Sequence, residues 1–137
     1  MRVFIDTSAY FALFSKDDSN NDRVTKKLQF YKEIESKLFT SEFVLDELFT
    51  LLLKRYAKYI VKQAMEYFYE AETLGQIKII NIDRHLFRKT YDFFLKFSEH
   101  KISFTDAVSY VLCKDFKMDE IFTLDSDFKK LRLKTSF

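Results

Sequence analysis

The chain has 137 residues, 32% of them charged, 47% hydrophobic and 18% aromatic, with a formal net charge of +2. That balance fits one globular domain over residues 1–137 rather than a disordered segment, and the charge is too mild to announce a nucleic-acid binder by itself. One glycine excludes phosphate-cradling glycine loops, one cysteine excludes an internal disulfide or thiolate zinc cage, and His85 and His100 cannot make an H-E-x-x-H site. Carboxylates are left as the working groups.

Arg2-Val3-Phe4-Ile5 is a short apolar run that reads as a buried strand, and it starts too soon after Met1 for a signal peptide. No apolar run approaches the ~18 residues of a membrane span, so a soluble protein of the reducing cytoplasm is expected. Residues Ala9 to Phe14 permit a helix opening at Thr7, and residues 17–22 are a polar turn signal. Val24, Leu28, Tyr31 and Ile34 have helical spacing up to about Ser36, and residues 38–40 suit a second strand. Ser41 has the chemistry of an N-cap for a helix to about Arg55, striped by Val44, Leu45, Leu48, Phe49, Leu51 and Leu52. A helix over Lys58–Leu74 closes at Gly75, residues 77–82 are the clearest β-branched run, and helices fit 84–97 and 104–115. Glu120 to Leu124 reads as a strand, followed by a short helix around 126–130. Strands alternating with helices define an α/β class with a parallel sheet between helices.

The acids fall at telling places. Asp6 and Asp125 directly follow strands, and ligands of open parallel sheets bind beyond the carboxyl ends of the strands. Asp106 opens a helix, and Glu47 lies one to two turns into another, beside Asp46. Each has a structural reading as well. Asp125 can cap the helix at Ser126, Ser103-Phe104-Thr105-Asp106 has the capping-box form, and Glu47 can be a solvated helix flank. Asp6 ends a buried strand and has a capping duty only if a helix starts at Thr7. Gathered in one crevice, such acids repel unless a cation neutralises them, and hard oxygen ligands favour Mg²⁺ or Mn²⁺.

Ile5-Asp6-Thr7-Ser8, Asp46-Glu47-Leu48, Ser103-Phe104-Thr105-Asp106 and Thr123-Leu124-Asp125-Ser126-Asp127-Phe128 occur in that order along the chain. This arrangement resembles the PIN-domain ribonucleases, particularly the small VapC-type toxins of toxin–antitoxin pairs. The resemblance implies a three-layer α/β/α fold with about five parallel strands and a Mg²⁺- or Mn²⁺-dependent endoribonuclease site. By position it makes Asp6, Glu47, Asp106 and Asp125 the acidic quartet, with Asp6, Asp106, Asp125 and the secondary acid Asp127 toward metal. Thr7 and Thr123 match hydroxyl positions near the acids. The family often has a small residue where this chain has Asp46, which competes with Glu47 for the inward position. A homodimer and a small inhibitory antitoxin are further implications of the family.

The grip on RNA is expected from basic helix faces: Lys54, Lys58 and Lys62 recur at i, i+4, and Arg84, Arg88 and Lys89 form a second group, although either stripe also suits a solvated face. Tyr56, Tyr59, Tyr67 and Tyr69 suit base stacking or the core, and Cys113 reads as a small core hydrophobe. Two other readings are a PIN nuclease of RNA maturation without an antitoxin, and a degenerate PIN fold that only binds RNA or protein. A haloacid-dehalogenase-type phosphatase would want Asp-x-Asp after the first strand, and position 8 is Ser.

Overall fold

A computed structural model describes all residues, 1–137. In chain order the elements are β1 (Arg2–Ile5), α1 (Thr7–Phe14), α2 (Asn21–Glu33), β2 (Lys37–Ser41), α3 (Glu42–Arg55) and α4 (Lys58–Thr73). β3 (Lys78–Ile80), α5 (Arg84–Lys96), a 3-10 turn (Ser98–His100), α6 (Phe104–Asp115), β4 (Glu120–Phe122) and α7 (Asp127–Lys130) complete the chain.

The strands pair in the order β3-β2-β1-β4, all parallel. From β1 the chain steps outward through β2 to β3, then returns to the other side of β1 for β4. The strand order therefore reverses between β1 and β4, the place where open α/β sheets form a crevice. Of the five strands expected, four are full; at the β4 edge the tail adds a single parallel bridge, Ile121 to Thr135. Ile121 N–H donates to the Lys134 carbonyl at 2.9 Å, and Ser136 N–H returns to the Ile121 carbonyl at 3.1 Å.

The sheet is apolar on both faces because Val3, Phe4, Ile5, Leu38, Phe39, Ile80, Ile121 and Phe122 are all buried. The helices close it in packed pairs: α1 meets α2 and α3, α3 meets α4 and α6, and α6 meets α5. Their buried stripes follow helical spacing, as with Val44, Leu48 and Leu52 on α3 and Val61, Ala64, Phe68 and Ala71 on α4. Many of the aromatics serve this core, for instance Phe68, which meets Tyr10, Phe14, Phe49 and Tyr67 edge-on or tilted. Cys113 is buried and unpaired. Gly75 stops α4 at φ 71°, with Gln76 N–H returning to the Ala71 carbonyl at 2.8 Å. No helix is long and apolar enough to cross a membrane.

The expected 120–124 strand ends at Phe122, because the Thr123 and Leu124 region turns out of the ladder to bond α1 instead. The expected 77–82 strand likewise shortens to 78–80, where Ile82 N–H is taken by the Glu42 carboxylate at 2.7 Å.

Candidate active site

Asp6 joins the ladder with its backbone and caps α1 with its side chain. Its N–H donates to the Phe122 carbonyl at 3.0 Å, and its Oδ2 accepts from Ser8 N–H at 3.5 Å. Two hydroxyls complete the clamp on the same oxygen: Ser8 Oγ at 3.0 Å and Thr123 Oγ1 at 2.9 Å. Ser8 Oγ also accepts from Leu124 N–H at 2.9 Å, so α1 and the strand-exit loop of β4 are locked through one carboxylate. The other oxygen, Oδ1, is buried and has no partner, in a residue only 3% exposed. Leaving a buried carboxylate oxygen unsatisfied is costly, and burial pushes the Asp6 carboxyl above its ordinary range despite the Thr123 and Ser8 bonds.

Asp6 opens onto a cleft of about 510 Å³ at the carboxyl-end rim, whose lining includes Asp18, Glu47, Asp106 and Asp125. No lysine, arginine or histidine lines it. None of the five acids forms an ion pair anywhere. Asp106 is pushed up to about 6, first by burial and then by Asp6 and Asp125. Glu47 is also raised, by burial and then by Asp106 and Asp46. The Thr7 hydroxyl itself is buried without a hydrogen bond.

Local structure explains how each acid arrives. Ser41 caps α3 by accepting from Val44 N–H at 3.2 Å, and the buried Val44–Leu48–Leu52 stripe turns Glu47 toward the cleft. Asp46, one position around the helix, is exposed and does not line it. Asp106 does both jobs that its motif allows: a reciprocal capping box with Ser103 (3.0 and 3.3 Å) and a place in the cleft. Asp125 likewise accepts from Asp127 N–H at 2.8 Å while lining the cleft, and its own N–H is held by Thr123 Oγ1 at 3.0 Å.

Three expected contributors stand elsewhere. Asp127 is outside the cleft lining, because α7 turns its carboxylate toward Lys130, 3.0 Å away. Lys54 and Lys58, at the end of α3 and the start of α4, are exposed and do not reach the cleft. Two residues are additions. Asp18 lies in the turn before α2, where it also accepts from Asn20 N–H at 2.7 Å. Ser8 is the second hydroxyl of the clamp; its spacing from Thr123 in sequence carries no signal, although its place two residues after Asp6 is the spacing of a cap bond.

The donor set suits a hard divalent cation: carboxylate oxygens, one of them buried and unpartnered, with no internal counter-charge. No three of the acids converge into a ready-made coordination shell. That openness suits Mg²⁺, which keeps several waters and takes one or two carboxylates directly.

VapC20 of Mycobacterium tuberculosis, a sarcin–ricin-loop-cleaving toxin, shares the fold at TM-score 0.81 and 24% identity, over 96% of this chain and 95% of its own. VapBC2 of Rickettsia felis, solved with a promoter DNA fragment, superposes at TM-score 0.72 and 18% identity, over 99% and 98% of the two chains. FitAcB of Neisseria gonorrhoeae superposes at 0.67 and 15% identity, over 97% and 95%. No curated protein matches the sequence. The family model of the PIN domain matches residues 3–134, nearly the whole length of the α/β fold and every acid of the cleft, and the chain belongs to the PIN domain family.

Proposed function

We propose that the protein is a Mg²⁺- or Mn²⁺-dependent endoribonuclease that hydrolyses RNA phosphodiesters, acting as the toxin of a toxin–antitoxin pair. The observation that carries this reading is the unpartnered, buried Oδ1 of Asp6, a residue that lines a cleft with four further acids and no lysine, arginine or histidine. Asp6, Asp106 and Asp125 would hold the metal, directly or through the waters it keeps. When bound, the ion relieves charge on the phosphoryl oxygens and makes its water more acidic. Glu47, half-buried with a raised pKa, orients the attacking water and holds a proton at its carboxylate. Thr7 lines the cleft beside these acids, while Ser8 and Thr123 fix Asp6 through Oδ2, which would leave Oδ1 available to the ion.

The VapC neighbours and the toxin–antitoxin complexes among the fold relatives support the toxin role and a small antitoxin partner. Leu53, Tyr59, Met65 and Tyr69, exposed apolar side chains around α3 and α4, favour association with a second copy or with that partner.

The test uses the purified chain on a single-stranded RNA. Cleavage in Mg²⁺ that stops with excess EDTA is expected, together with a melting temperature that rises with Mg²⁺ as mass action requires. Cleavage undiminished by chelation in nuclease-free protein, or retained in Asp6→Asn, rejects the mechanism.

A further inference from the structure

A second, smaller hollow of about 140 Å³ adjoins the acidic cleft and shares Leu124 and Asp125 with it as a common wall. Its balance of charge is the reverse, two cations against the one shared acid, Asp125. Arg23 of α2 and Lys129 of α7 line it together with the polar side chains of Ser126 and Thr135. Neither cation has a carboxylate partner, although Asp22, Lys26, Asp127 and Lys130 around them are all ion-paired. Arg23 is also held in place: its guanidinium lies 3.7 Å from the centre of the Phe137 ring. Stacking of this kind orients the planar fork while leaving its N–H edges free for an anion.

We infer that this hollow is a phosphate subsite, in which Arg23 and Lys129 grip one backbone phosphate of the RNA next to the phosphate being cleaved over the acids. The inference rests on the nuclease reading and names residues that hold its substrate. No lysine, arginine or histidine lines the acidic cleft, so any grip of protein cations on a polyanion comes from its borders. This hollow shares Asp125 with the cleft, so it meets the strand where it leaves the acids. The grip is electrostatic and independent of base identity.

The experiment compares two double variants that lose the same charge: Arg23→Gln with Lys129→Gln, and Lys37→Gln with Lys78→Gln at the opposite rim. Binding of a fluorescent single-stranded RNA is measured in Mg²⁺ on an Asp125→Asn background, and cleavage on the otherwise native chain. The subsite predicts that the first pair weakens binding about tenfold and raises KM with kcat nearly intact. It also predicts a plot of log affinity against log salt that is shallower by about 0.7, one single-strand phosphate contact. The second pair leaves that slope unchanged. Equal effects of both pairs mean general charge alone and overturn the subsite. So does an unchanged slope in the first pair, the result expected if the hollow instead seats an acidic segment of a partner protein. A native chain that neither binds nor cleaves RNA rejects the nuclease reading itself, whereas native cleavage with an unaltered first pair rejects only the subsite.

Discussion

Two buried acids of the same sheet stand in opposite circumstances. Glu120 begins β4 at one rim and is 6% exposed, yet it is surrounded by partners: the Tyr31 hydroxyl donates to it, and Lys27 and Lys134 lie 3.7 and 3.6 Å away. Tyr31 in turn meets Ser136 at 2.6 Å, so the acid joins α2, β4 and the tail. Asp6 ends β1 at the other rim and is as deeply buried, but it has only hydroxyl and amide donors, all on one oxygen. The fold supplies countercharge to Glu120 and none to Asp6, the acid to which the proposed function gives a cation.

That contrast predicts opposite phenotypes. The largest effect belongs to Asp6→Asn, Asp106→Asn and Asp125→Asn, each expected to lower the RNA cleavage rate by about 10³-fold or more. Asn retains the cap bonds, so melting without metal stays level or rises. Wild-type cleavage in all three variants would reduce the cleft to a set of helix caps. Glu120→Ala should do the reverse: a loss of about 2 kcal/mol, seen as a melting drop of roughly 6 °C, with kcat near wild type at permissive temperature.

The sign of the pH response sharpens the comparison further. Asp106 sits at about 6 in the fold against 3.8 for its ordinary value, so the folded state holds its proton more tightly. The cost is absent below about 4 and complete above about 6, so the metal-free fold loses stability as pH rises through that window. Asp106→Asn should therefore melt like wild type at pH 4 but higher at pH 7, by about 1 kcal/mol after solvent screening of a partly exposed group. Equal melting differences at both pH values would contradict the electrostatic account. The smallest effects are expected at Asp46→Asn and Asp127→Asn, within about twofold in cleavage and about 0.5 kcal/mol in stability. A collapse of cleavage in Asp46→Asn would exchange its role with that of Glu47.

Much of this site was legible before any coordinates. Acids directly after apolar runs mark the carboxyl-end rim whatever the details of packing, which is why Asp6 and Asp125 stand out. Capping and lining the cleft turned out not to be alternatives for Asp106 and Asp125, because a carboxylate has more acceptor sites than one cap requires. Glu47 and Asp46 differ by one helical step, and only the packing of Val44, Leu48 and Leu52 on the core decides which turns inward. Asp127 was misleading because adjacency along the chain becomes divergence once α7 begins. Asp18 was hidden within an ordinary turn signal, and the tail's pairing at Thr135 is one bridge long, too short for any periodicity.

The joint made by Asp6, Ser8 and Thr123 also has a consequence in time. Its two halves are 117 residues apart between Asp6 and Thr123. At translation rates of roughly 5–20 residues per second, the interval between their syntheses is on the order of 6–23 s. Throughout that interval β1 lacks its β4 neighbour, Asp6 lacks its Thr123 donor, and Asp125 does not yet exist. A product interrupted before β4 therefore has an open strand edge on β1 and lacks the Leu124 and Asp125 wall of the cleft. The cleft is completed only with the last strand, and on the nuclease reading proposed above no cleavage is expected of a chain stopped before β4.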